Sequence, residues 1–173
     1  MAYTYSKIAT YTVGSGGIST IDFTNIPQTY TDLLINVSAR STRATTADTL
    51  LLQINNDTGS NYAYRYLYGN GATGASGSTT AATFIECFRT PAASSGANAF
   101  GNNQIYIPNY TTSNYKSISV DDVTEDNTTT VYASISAGIW NNTTAINAIK
   151  LKVNVGIFTQ YTTAHLYGIK AEV

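Results

Sequence analysis

The chain has 173 residues, 43% of them hydrophobic but only 11% charged, with a net charge of −1. That apolar content suits one packed domain and excludes wholesale disorder. Nine basic residues against ten acidic ones, with no Lys/Arg cluster, exclude a nucleic-acid footprint and an anionic-membrane patch.

In place of charge the chain uses Thr, Ser, Asn and Gly, which favour strands and turns over helices. The start, MAYTYSKIATYTVG, lacks the apolar run of a signal peptide, and no stretch approaches a membrane span. Synthesis in a cytoplasm follows, without membrane or nucleic-acid partners. Residues 1–22 read as an N-terminal arm and a weak hairpin, with strands over 7–13 and 18–23 around a Gly-Ser-Gly-Gly turn. The arm carries Tyr3 and Tyr5, candidate anchors for a partner. Residues 23–173 read as one sandwich domain.

A strand over 32–41 places Leu33, Ile35, Val37 and Ala39 on one face. Next comes the stretch DTLLLQINNDTGSNYAYRYLYGNG, in which Leu50, Leu52 and Ile54 alternate with Thr49, Leu51 and Gln53. Residues 55–60 are turn formers and 62–68 form a second strand, so the pair predicts an antiparallel hairpin. The tract 72–82, made of Gly, Ala, Ser and Thr, predicts an exposed loop. A strand over 83–89 and a small-residue loop over 90–98 follow. Further strands are expected over 103–108, 116–121, 131–140, 146–155 and 164–171. In the third of these five, Val131, Ala133, Ile135, Ala137 and Ile139 share a face; in the fourth, Ile149, Leu151, Val153 and Val155 point inward. Helical periodicity is absent throughout. About nine or ten strands joined by loops of varied length predict an all-β, two-sheet antiparallel sandwich of jelly-roll type.

Candidate chemistry is sparse. His165 stands in the last strand without a nucleophile motif or metal-ligand spacing around it. Cys87 sits in an apolar run and reads as a buried, inert thiol. The carboxylates Asp121, Asp122, Glu125 and Asp126 crowd one segment, but without the spacing of a calcium loop they read as a solvated turn. Tyr62, Tyr64, Tyr66 and Tyr68 share one face of one strand. Such a face packs in a core, meets a partner protein, or stacks on sugar. Trp140 followed by Asn141 and Asn142 sets a ring beside amides, a candidate glycan contact. No residue pattern calls for a cofactor or a metal, and the chain reads as a non-enzyme.

Several segments together carry a resemblance: Phe23-Thr24-Asn25-Ile26-Pro27 leading to Asp32-Leu33-Leu34, Ser60-Asn61-Tyr62 through Gly69-Asn70-Gly71, Ile105-Tyr106-Ile107-Pro108, Gly138-Ile139-Trp140, and Leu166-Tyr167-Gly168-Ile169. In order and spacing the chain resembles small bacteriophage virion surface proteins, of the capsid decoration (cement) and tail-fibre-like kind. The resemblance implies a jelly-roll domain, a homotrimer, and a structural role on the virion surface, bound to the major capsid protein or another virion protein. The alternative it implies is a receptor-binding fibre or lectin-like domain recognising host glycan. A length of 173 residues from a start Met leaves no room for a fibre shaft, which favours the first.

Overall fold

The computed structural model describes residues 3–127 and 131–171. Among them are twelve strands and no helix. The strands are β1 (Tyr3–Thr12), β2 (Thr20–Phe23), β3 (Asp32–Ala39), β4 (Ala47–Ile54), β5 (Tyr62–Gly69), β6 (Gly74–Ala82), β7 (Ile85–Pro91), β8 (Gly101–Ile107), β9 (Lys116–Thr124), β10 (Tyr132–Trp140), β11 (Ile149–Val153) and β12 (Thr163–Ala171). They form the antiparallel two-sheet sandwich that the period-two patterning predicts. One sheet has eight strands in the order β1-β12-β3-β8-β9-β10-β5-β6, and the other has four in the order β2-β11-β4-β7.

The pairing is nested. β1 pairs with β12, β2 with β11, β3 with β8 and β4 with β7, and successive pairs fall in alternate sheets. Two hairpins interrupt this plan: β5–β6 between β4 and β7, and β9–β10 between β8 and β11. The two insertions join through β10–β5 and extend the larger sheet beyond β8. The small sheet's edge strand β7 lies across the inner face of this extension, touching β9, β10 and β5.

Core packing follows residue type. Leu33, Ile35 and Val37 of β3 share one buried cluster with Leu50, Leu52 and Ile54 of β4 and with Ile105, Leu151 and Leu166, all essentially closed to water. Burying each such side chain contributes about 1.5–3 kcal/mol, and together they hold the two layers face to face.

Four sequence expectations change. Residues 3–12 are not a separate arm or half of a local hairpin: β1 is hydrogen-bonded along its length to the last strand, while β2 lies in the other sheet. Residues 1 and 2, and the side chain of Tyr3, lie outside the described residues. The expected hairpin of residues 49–54 with 62–68 is instead a crossing between sheets. β4 is buried on both faces between β11 and β7, so its ladder is already full, and β5 pairs with β10 and β6. Asn55 and Asn56 adopt φ of 51° and 54° to turn the chain between layers. The tract expected as a loop is strand β6, exposed along nearly all its length, because small side chains bury little yet leave the backbone free to pair. Finally, β11 ends at Val153, and Val155, expected inward, is exposed.

Candidate interaction surface

The extension β9-β10-β5-β6 has an inner and an outer face, and the inner one takes the aromatic residues. Tyr62 and Tyr64 of β5 are buried. The Tyr62 hydroxyl accepts from the Ile54 N–H at 3.0 Å, and its single proton is within bonding distance of the main-chain carbonyls of Ile54 and Asp57. Burial pushes that phenol up to about 12. The Tyr64 hydroxyl donates to Glu86 at 3.0 Å. Tyr66 and Tyr68 are half-buried, their rings 5.0 and 4.9 Å from the Phe88 ring of β7. The four tyrosines do share a face, but it is the one that clamps the two layers. Tyr62 and Tyr64 are therefore core residues, closed to a partner.

Trp140 is likewise buried, at 1% exposure, and cannot stack on a sugar. Its Nε1–H donates to Asp57 Oδ2 at 2.8 Å. Asp57 also accepts from Asn61 Nδ2 at 2.9 Å and from the Gly59 N–H at 2.8 Å. Partial burial raises the Asp57 pKa, but the bonds from Trp140, Asn61 and Gly59 outweigh it, and the carboxyl rests below its ordinary range. This carboxylate locks the crossing loop to the end of β10. Asn141 is tied there too, its N–H bonded to the Asn61 carbonyl at 2.8 Å, and Asn142 Oδ1 accepts from the Thr144 N–H at 2.9 Å.

The acidic segment is split by strand alternation. Asp121 faces water and Asp122 is 2% exposed. Asp122 accepts from Asn103 Nδ2, and Ser134 Oγ donates to it at 3.3 Å. Burial dominates over these bonds and pushes its carboxyl up to about 8. Asp126 holds the Ser95 hydroxyl and the Gly96 N–H on the far side of a loop. Among the described residues no group of three or more His, Cys, Asp or Glu side chains could hold a metal ion. His165 Nδ1 lies 3.1 Å from the Thr10 hydroxyl of the neighbouring strand. Cys87 is fully buried, and burial pushes its thiol up.

The outer face is what sequence reasoning missed. In β10 the buried face is Ser134, Ser136, Gly138 and Trp140, while the aliphatic face points to water. Leu67, Val123 and Ile135 are 57%, 49% and 55% exposed. They come from three neighbouring strands: Leu67 stands opposite Ile135, and Val123 opposite Ala133. On one side of the Leu67–Ile135 pair lies a groove of about 790 Å³, flanked by Arg65, Ser76, Ser78 and Asp121. On the other side a hollow of about 660 Å³ reaches Gly74, Val123 and Ala133. Neither Arg65 nor Asp121 has an ion pair or side-chain hydrogen bond among the described residues. The available signal was Trp140, whose parity marks Ser134 and Ser136 as the inward set and turns Ile135 out. Period-two alternation alone does not say which face is buried.

Compared with protein-family models, curated proteins and solved structures, the chain matches none. The reading of function therefore rests on this surface and on the resemblance carried by the sequence.

Proposed function

We propose that this chain is a structural protein of the bacteriophage virion surface, a capsid decoration (cement) or head-fibre subunit. In this reading it is a jelly roll that assembles as a homotrimer and contacts the major capsid protein or another virion protein. The observation that carries the proposal is the aliphatic outer face of Leu67, Val123 and Ile135. A contiguous apolar patch rimmed by serines and two isolated charges suits the centre of a protein–protein contact. The nested strand pairing, alternating between sheets, supports the jelly-roll part, since two Greek keys wound together give that order. The virion setting and the trimer come from the resemblance.

Glycan recognition has less support. Trp140, Tyr62 and Tyr64, the rings offered for sugar stacking, are buried, and the outer groove presents aliphatic side chains instead. The reading assigns no reaction. Asp122, Glu125, Asp126 and His165 are engaged in bonds that hold loops and strands, as Asp57 is with Trp140 and Asn61.

The test is co-sedimentation of the purified protein with isolated capsids and, separately, with isolated tails, beside its mass in solution. Saturable binding to capsids by a trimer is expected. Binding to tails alone or to neither particle, or a monomer at every concentration, contradicts the proposal in the corresponding part.

A further inference from the structure

The two sheets expose four edge strands, and three carry devices that discourage further pairing. β1 has a register shift between Lys7 and Ala9, with Lys7 exposed. β2 is only four residues long and bears Asp22, 3.7 Å from Lys150. β7 bears Glu86 and Arg89, ends on Pro91 and is irregularly paired to β4. Over residues 74–79 the fourth edge, β6, has none of these; its one register shift, beside Ala81 at φ 54°, falls beyond Thr79. Its nine residues, GASGSTTAA, include no charge and no proline, and they pair with β5 without interruption from Thr79 back to Gly74. One row of its backbone donors and acceptors is left facing outward.

A second observation lies beside this edge. Ser76 and Ser78 of β6 are too small to shield Leu67, so the groove opens directly toward the free edge. Arg65, on β5 opposite Ser78, is exposed there and has no ion pair among the described residues. A strand added to β6 would lie about 10 Å from β5, two strand spacings away. A long side chain from each direction closes that gap across the serines.

We propose that β6 is a strand-addition site for an extended segment of a partner polypeptide. The segment continues the sheet through its main chain, lays alternate apolar side chains over Ser76 and Ser78 onto Leu67, and sets a carboxylate against Arg65. Main-chain pairing supplies affinity and alternate side chains supply specificity. A helix has already spent its backbone N–H and C=O groups on its own bonds, and a glycan has no peptide groups to continue the ladder. A second copy paired through its own β6 would offer only Gly, Ala, Ser and Thr, bring Arg65 toward its twin, and leave Leu67 open. The inference requires a partner polypeptide and not a virion, so its test stands apart from that of the proposed function.

The probe is a synthetic peptide matching the nine residues of β6 in length, alternating Val and Thr with one central Glu. Amide hydrogen exchange is followed on the intact protein. Protection of the amides of residues 74–79, saturating below about 1 mM peptide, is expected. An analogue N-methylated at alternate residues should fail to bind. Arg65→Glu should weaken binding at least about tenfold, and a peptide with Lys in place of Glu should restore it. Absence of protection at that concentration overturns the proposal, as does equal binding of the N-methylated analogue. Amides of β6 already protected in the free protein, in a species of twice the chain mass, assign the edge to a second copy and overturn it equally.

Discussion

Trp140→Ala is expected to destabilise the fold by about 4 kcal/mol, the typical loss when a large buried ring is deleted. Trp140 has 1% exposure and closes the end of the larger sheet where β10, β5 and β9 meet. Its removal also frees Asp57, whose Oδ2 accepts from the indole at 2.8 Å. Trp140→Phe separates the two effects, keeping most of the ring and losing about 1 kcal/mol with the hydrogen bond. The Asp57 pKa is depressed in the folded state. Its contribution is therefore present above the unfolded carboxylate pKa and is lost as pH falls through the folded one. Without the indole donor the folded pKa rises, so acid unfolding of Trp140→Phe should begin at higher pH than that of the parent. Urea denaturation at neutral pH, repeated in steps toward acid, checks both. A loss for Trp140→Ala no larger than for Trp140→Phe would contradict the core placement of the ring.

Asp122 predicts the opposite pH dependence. Its carboxyl, pushed by burial from 3.8 to about 8, holds a proton in the folded chain at pH values where the unfolded chain has released it. Stability from this site is full below the unfolded pKa and falls as pH rises toward the folded one. With about 1.4 kcal/mol for each tenfold change in proton affinity, a loss of roughly 2 kcal/mol between pH 5 and 8 is a conservative expectation. Asp122→Asn keeps an acceptor for Asn103 and removes the titration. Its stability should change less over that range, making it the more stable chain at pH 8. Denaturation of both proteins at the two pH values decides the matter. An equal pH response in parent and variant would show that Asp122 is already ionised within the fold.

Apart from β6, the strands were legible because their residues alternate, and period two survives whatever lies opposite. Their partners were not. β1 is paired with β12, the far end of the chain, and no local signal announces so distant a neighbour. The turn residues 55–60 correctly marked a change of direction, but a turn does not say whether the next strand stays in the same layer. The tyrosines of β5 were rightly placed on one face. That they lie inside depends on β7 carrying Phe88 across them, a contact between segments that composition cannot foresee. The outer face was hidden for the same reason. Ile135 and Leu67 resemble core residues until β7 is seen to cover Ser134 and Ser136 instead. The free edge of β6 looked like low complexity because its meaning lies in its backbone, and side chains so small declare nothing.

Occupancy on isolated capsids, measured by co-sedimentation for Ile135→Asp beside Tyr5→Ser, tests the outer-face account most directly. Both positions are exposed, so neither change should cost more than about 0.5 kcal/mol of folding stability. The outer-face reading predicts that Ile135→Asp loses at least about tenfold in binding, as a charge placed at the centre of an apolar contact should. It predicts that Tyr5→Ser binds as the parent does. Undiminished binding by Ile135→Asp, with loss in Tyr5→Ser, would contradict it and return the attachment site to β1.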